Sequence, residues 1–331
     1  MSSVSSTNSD PAASFESYRR RLLGLGYRML GSMADAEDAV QETYLRWHAA
    51  DRGKVSDPRA FLMSITTRIC LDILTSARAR HEEYVGPWLP EPVLDTAALL
   101  PDKRTELAED LSIALLLTLD RLSPLERAAF LLHDVFDFSF TEVAGTLERS
   151  EAACRKLATR ARAHLRTLRP RGVGAPQEAV GGIDAQHARL ISAFAAATQS
   201  GDLNALRQLL ASDVRIVTDG GGKPAAALTN ANRHGGGHEI TGADRALRFL
   251  VGATRERLAP EWRKDVRFRF APVNGLPGVI VEAPEGPVQA AAFEIEGEVI
   301  RALYVVHNPD KLRHLVCALA TAGADRQPRC L

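Results

Sequence analysis

The 331-residue sequence predicts a multidomain fold: two all-α helical regions, the second built on a helix-turn-helix, followed by an α+β domain. Three observations carry that reading. Apolar residues recur at helical spacing through most of the first half; residues 122–171 read as helix, short helix, turn and basic helix; beyond residue 184, strand-like alternation begins to interrupt the helices.

Residues 1–13 lack the charged and apolar regions of a signal peptide and are expected to form a disordered tail. From Phe15 to Leu30, the residues Tyr18, Leu22, Leu25 and Met29 recur at helical spacing, and Gly31-Ser32 ends the run. In DAEDAVQETYLRWH and the residues before it, Met33, Ala36, Val40, Tyr44 and Trp47 gather on one side of a helical wheel. Asp38, Gln41, Glu42 and Leu45 are left on the other, where a leucine among acids is out of place. A polar loop carries Arg52 and Lys54, and Pro58 opens a long helix with Phe61, Ile65, Ile69 and Ile73 expected inward. Arg59 and Arg68 are further basic candidates along it.

Between Tyr84 and Pro101 four prolines exclude a helix or a central strand. Trp88, bracketed by prolines, is expected to dock on another surface, because exposure would leave a large apolar ring in water. After it, Ser123, Pro124 and Glu126 form a helix start with capping chemistry. Ala128, Leu131, Leu132 and Val135 bury one side of that helix. A short helix over Thr141–Leu147 and a turn through Glu148 and Arg149 lead to Ser150, an N-cap followed by Glu151 in the first turn of the next helix. Cys154, Leu157, Ala158, Ala161, Leu165 and Leu168 form its apolar stripe, so Arg155, Lys156, Thr159, Arg160, Arg162 and Arg166 face outward. No acid occurs between Arg155 and Arg171. A basic face alone is commonly a solvated one; preceded by a short helix and turn, it reads as a recognition helix for the major groove.

GVGAPQEAVGG is a flexible connection. Helices are expected over Asp184–Gln199 and Leu203–Leu210, then a strand over DVRIV, a DGGGK turn, and a helix from Gly242 to Arg257. Strands follow over Val266–Phe270, Val279–Glu282, Val288–Ile295 and Val299–His307, and a last helix from Pro309. DGGGK lacks the spacing of a phosphate loop; a plain hairpin-like turn is one reading, and three glycines beside an acid and a lysine better suit close backbone contact with another domain. His234 and His238 flank a glycine run without convergent ligands, which reads as a surface loop and no metal site.

Lysines and arginines number 41, as do acids, so a DNA-binding face requires segregated charge and suits a chain that holds DNA with a partner's help. Cys70, Cys154, Cys317 and Cys330 show no metal spacing and read as reduced fillers in a cytoplasmic protein, and no apolar run is long enough for a membrane span.

These motifs resemble the extracytoplasmic-function sigma factors of bacterial RNA polymerase. LSPLERAAFLLHDVF, TEVAGTL and SEAACRKLATRARAHL resemble the helix-turn-helix sigma-four domain, and DAEDAVQETYLRW resembles the sigma-two helix that docks on the polymerase core. WLPEP, DGGGK, NPDKL and the order of elements resemble the subgroup with a fused SnoaL-like, nuclear-transport-factor-like cone. The resemblance implies a sigma-two domain over 14–83, a linker over 84–104, sigma-four over 105–171, a second linker over 172–183 and a regulatory cone over 184–325. It implies core polymerase and promoter DNA as partners, no cofactor and no catalysis; a small-molecule ligand of the cone stays open. Arg155, Lys156, Thr159 and Arg160 match the family's DNA-contacting places, with Arg162 beside them; Asp38, Gln41 and Glu42 face polymerase; Arg52, Lys54 and Arg59 lie near the downstream element. Regulatory contacts are expected at Trp88, Leu89 and Pro90, at Asp219, Gly220, Gly221, Gly222 and Lys223, and at Asn308, Pro309, Asp310 and Lys311. The rivals are an enzyme using a carboxylate such as Asp219 as base, and a regulator that binds DNA without polymerase; the Asp38/Gln41/Glu42 face tells against the latter.

Overall fold

The computed structural model describes residues 11–81, 84–94, 99, 111–168, 185–222, 238–257, 266–316 and 319. It divides into two compact units. The first holds residues 1–79, 97–110 and 118–171; the second holds 80–96, 111–117 and 172–331. The segment between the two helical regions thus clusters in large part with the C-terminal domain.

In the first unit, α1 (Pro11–Leu30), α2 (Met33–Ala49) and α3 (Pro58–His81) form the amino-terminal helical region. Ser32 caps α2 by accepting from the Asp35 amide. Its buried side is Ala36, Ala39, Val40, Thr43 and Trp47, while Tyr44 sits edge-on to Phe15 at 5.1 Å. Along α3 the expected stripe is only partly found. Leu62, Met63, Thr66, Thr67, Ile69 and Cys70 are buried, and Phe61, Ile65 and Ile73 are half-buried, because this helix has neighbours around most of its circumference. Its buried threonines hydrogen-bond back to Leu62 O and Met63 O, which satisfies their hydroxyls inside the core. Burial, then the charge of Asp35, pushes the Cys70 thiol up to about 12, so it stays a protonated filler.

Helix α4 (Ile113–Asp120), whose residues 113–117 belong to the second unit, leads into the second helical region, which comprises α5 (Pro124–Phe130, continued by a π turn over Leu131–Val135), α6 (Phe140–Leu147) and α7 (Glu151–Leu168). Ser123 with Glu126 and Ser139 with Glu142 form reciprocal capping boxes. The second of these starts α6 one residue earlier than expected.

The second unit holds α8 (Ala185–Ser200), α9 (Leu203–Leu209), β1 (Leu210–Asp219), β2 (His238–Thr241), α10 (Ala243–Arg257), β3 (Arg267–Val273), β4 (Leu276–Ala283), β5 (Gly286–Glu296) and β6 (Val299–Val306). Their sheet order is β2-β1-β6-β5-β4-β3, with β1 and β6 parallel and every other pair antiparallel. This is the expected α+β cone. Strand β2 was not expected, since HEIT borders a glycine run; the expected last helix opens with a 3₁₀ turn over Pro309–Leu312, and residues 315, 316 and 319 beyond it are helical. Alternation along the strands separates two faces. Val214, Ile216, Phe293 and Leu303 pack with the helices through Ile191, Phe194, Leu206 and Leu247. Val217, Ile280, Ala290, Ala292, Tyr304 and Val306 form the opposite face, and it is covered by Leu89, Ile113, Leu312 and Leu315.

Leu89 belongs to a strap over residues 84–94 that is stitched down by its backbone. Asp219, fully buried at the end of β1, is the main stitch. Its Oδ2 accepts from Leu89 N at 2.8 Å and from Lys311 Nζ at 2.7 Å; its Oδ1 accepts from the Tyr84 hydroxyl and from Gly221 N at 3.0 Å. Lys311 also donates to Leu89 O and lies over the rings of Trp88 and Tyr84 at 4.3 and 5.0 Å. Further along, Val93 O accepts from Asn274 N at 2.8 Å and Val93 N donates to Asn274 Oδ1 at 3.2 Å. His314 Nε2 lies 2.6 Å from Pro92 O.

Breaking a buried ion pair from one side leaves the other charge stranded, at about 3–5 kcal/mol. Asp219→Ala is therefore expected to destabilise the second unit by about that amount and to expose residues 84–94 to protease, as read by denaturant unfolding and limited proteolysis. Asp219→Ala with Lys311→Met is expected to recover part of the loss; equal behaviour of the single and double variants would refute the stranded-charge account.

Candidate nucleic-acid interface

Ser139 places α6, and Glu148, in the left-handed region at φ 54°, ends it and turns the chain into α7. Ser150 then accepts from Ala153 N at 3.2 Å and starts α7. Cys154, Ala158, Ala161 and Leu165 are buried and Leu157 is half-buried, which turns Arg155, Lys156, Thr159 and Arg160 to solvent. Arg155 is anchored at two points: its Nη2 donates to Glu151 at 2.7 Å, and its guanidinium carbon lies 5.2 Å from the Phe140 ring centroid. The other oxygen of Glu151 accepts from the Thr141 hydroxyl at 2.7 Å. That hydrogen bond, then the one from Arg155, holds the Glu151 carboxyl below the usual carboxylate range. Thr159 bonds back to Arg155 O at 2.8 Å.

Arg162 departs from the helical-wheel expectation. It is half-buried and folds onto Asp134 at 2.8 Å, so its charge is met by a partner within the domain. Of the downstream candidates, Lys54 is exposed and pairs with Asp51 at 3.1 Å, and Arg52 is half-buried at the start of the same 3₁₀ turn.

Arg59 and Arg68 instead join the two helical regions. Arg59 Nη2 donates to Phe136 O at 2.6 Å and the guanidinium stacks over Phe138 at 4.8 Å. Arg68 donates to Thr146 O at 3.1 Å and Gly145 O at 3.0 Å, and meets Glu148 at 3.3 Å. These are the last carbonyls of α6, which have no helical partner, so the arginine caps the negative end of the first helix of the motif. Between the two, the Ser64 and Thr146 hydroxyls are 2.7 Å apart. From the other side, buried Arg127 donates to Met29 O, the penultimate carbonyl of α1, and to Asp120 at 3.0 Å. Arg68 was a candidate along α3, but the clasp itself was missed, because arginines reaching for backbone carbonyls across domains leave no sequence spacing.

On α2, Asp38 and Gln41 are exposed, Glu42 is half-exposed and pairs with Arg46 at 2.8 Å, and Leu45 keeps 55% of its surface open beside them. The strap residues Trp88, Leu89 and Pro90 and the residues Asp219, Gly220, Gly221, Asn308 and Lys311 come together in the second unit; Lys223 lies outside the described residues. Gly221, at φ +63°, has room for no side chain: a Cβ there would lie 2.2 Å from Asn308 Nδ2. Asn308 also donates to the Tyr84 hydroxyl at 3.1 Å, and its Oδ1 accepts from Asp310 N at 3.1 Å, while Pro309 opens the 3₁₀ turn. With four donors filling its oxygens and Lys311 neutralising it, Asp219 has no acceptor position open for a base's work. His238 tilts against Phe249 at 5.5 Å in strand β2, and His234 lies outside the described residues, as do Cys317 and Cys330. No described helix is long and apolar enough to cross a membrane.

Two protein families match the chain, Sigma-70 region 2 over residues 14–80 and Sigma-70, region 4 over residues 112–165. The chain is 37% identical to the ECF RNA polymerase sigma factor SigJ of Mycobacterium tuberculosis, across 90% of this chain and 91% of that protein. It is 31% identical to the probable ECF RNA polymerase sigma factor SigI of the same species, over 92% and 95% of the two. The crystal structure of Mycobacterium tuberculosis SigJ superposes with a TM-score of 0.64 at 32% identity, covering 91% of this chain and 97% of that one. With both sigma regions matched and such relatives aligned nearly end to end, the chain belongs to the extracytoplasmic-function RNA polymerase sigma factors.

Proposed function

We propose that this sigma factor binds core RNA polymerase through Asp38, Gln41, Glu42 and Leu45 on α2, and promoter DNA through Arg155, Lys156, Thr159 and Arg160 on α7. It works in the cytoplasm, and no catalysis is assigned to the cone. The observation that carries the reading is the basic open face of α7 behind a well-capped first helix, while Arg59, Arg68, Arg127 and Arg162 are tied into internal contacts. Arginine and lysine there suit guanine edges and phosphates. The outward Leu45 among polar residues supports a protein-docking face on α2.

Control in cis rests on the chain's connectivity. The segment joining region 2 to region 4 runs through the strap, and the strap is held by the cone through Asp219, Asn274, Lys311 and His314. A grip on that segment biases which arrangements of the two DNA-binding regions are populated. The Arg59/Arg68 clasp favours the closed arrangement within the first unit, and opening it frees both arginines for single-stranded promoter backbone.

Two outcomes test this. Asp38→Arg with Gln41→Ala is expected to abolish retention of the chain on purified core polymerase in a pull-down while leaving its circular dichroism unchanged; full retention would remove the docking assignment. A Ser64→Cys/Thr146→Cys variant replaces two adjacent hydroxyls by thiols, so oxidation should lock the clasp. Promoter-dependent transcription is expected to fall at least about tenfold on oxidation and return with reductant, a shift of about 1.4 kcal/mol or more. The single-cysteine variants should not respond. Equal activity of the oxidised and reduced double variant would show that opening is not required.

A further inference from the structure

The recognition reading leaves unexplained why the one acid at the start of α7 sits inside a set of contacts that spans three helical segments. Glu151 is the first residue of α7, and both of its oxygens are engaged: Oε1 by Thr141 on α6 and Oε2 by Arg155 one turn along α7, each at 2.7 Å. Arg155 in turn lies over the Phe140 ring at 5.2 Å, and that ring is stacked on His133 at 3.9 Å. His133 belongs to the π turn after α5 and is itself fixed to Phe138 O at 2.7 Å. The chain of contacts thus runs from the π turn, through α6, to the guanidinium.

A solvent-exposed acid–base pair four residues apart contributes little by itself, because two long side chains must be ordered to make it. Here the carboxylate is ordered by Thr141 and the guanidinium by an aromatic face, so much of that ordering is independent of the pair. Arginine in water samples many rotamers, and a side chain already held near its bound position loses less freedom on binding. One Nη2 hydrogen is used on Glu151, and the remaining donors of the fork stay available to a base edge. Glu151 would otherwise be unfavourable at a surface that meets phosphates; with Thr141 donating to it and Arg155 neutralising it, that charge is masked.

We infer that Glu151, held by Thr141, is a positioning residue that sets which base pair Arg155 reads. The inference rests on the assignment of α7 as the recognition helix. A direct role for Glu151, accepting from a cytosine amino group, is the competing chemistry.

The full-length chain with core polymerase is to be assayed by transcription from a template pool randomised across the upstream promoter element, with the transcripts sequenced to give a base preference at each position. Arg155→Ala is expected to relax preference at one base pair by about tenfold or more. Glu151→Ala should relax the same base pair by about three- to tenfold and have no further effect in the Arg155→Ala background, the coupling expected when one residue acts through another. Thr141→Val should act at the same position more weakly, and Thr141→Ser, which keeps the hydroxyl, should restore the wild-type profile. An additive effect of Glu151→Ala on Arg155→Ala, or an effect at a different base pair, would overturn the positioning role in favour of direct reading. An unchanged profile for Glu151→Ala beside a changed one for Arg155→Ala would leave only a surface ion pair. An unchanged profile for Arg155→Ala would instead sink the recognition assignment itself.

Discussion

The Asp219 carboxylate is the constraint on which the second unit most depends. A charge with no exposed surface is tolerated only if its lone pairs are filled and its charge is met, and here Leu89 N, the Tyr84 hydroxyl, Gly221 N and Lys311 do both. Two of those four donors lie in the strap, so the carboxylate is satisfied only with the strap in place. Burial and the adjacent Asp219 charge in turn push the Tyr84 hydroxyl far above the ordinary phenol range, keeping it a donor. Apolar contacts alone, through Leu89, would tolerate a sliding strap; the hydrogen bonds to Leu89 N and to both backbone groups of Val93 allow one register. The polar hub thus supplies specificity to a segment that has no secondary structure to do so.

In the first unit the scarce resource is positive charge. A chain of zero net charge cannot present a basic surface everywhere, and among the described residues some arginines are turned to internal partners while others stay open. Arg59, Arg68, Arg127 and Arg162 are turned inward to carbonyls, a ring or a carboxylate, where they join or brace helices. Arg155 and Arg160, with Lys156, stay on the open face. Capping the end of α6 with Arg68 couples the geometry of the helix-turn-helix to the packing of α3, so the same side chain serves structure in one arrangement and is available to DNA in another.

Much of this was legible in the sequence, for reasons that can be named. Capping residues act locally, so Ser123 and Ser150 mark helix starts in the sequence and in the structure alike, while the box of Ser139 with Glu142, equally local, was passed over. The apolar stripe of α7 is visible because that helix buries only one side. The same logic fails on α3, which is buried around most of its girth, so Leu62, Met63 and Cys70 carry the core beside the expected Ile69. Trp88 announced a docked linker through its cost in water, and DGGGK a close backbone approach; that both would converge on Asp219 and Lys311 depends on contacts more than ninety residues apart. The contacts of Arg162 with Asp134 and of Arg59 with Phe136 O could not be read from the sequence, since a long side chain can fold back from an outward Cα.

Run-off transcription with core polymerase, comparing no addition, this chain, and its Asp219→Ala variant, tests the account most directly. The account predicts defined transcripts only when the chain is present, from promoters the core enzyme ignores, with output that changes when the strap is released. Absence of any added transcript, together with equal occupancy of the same DNA with and without polymerase, would contradict it.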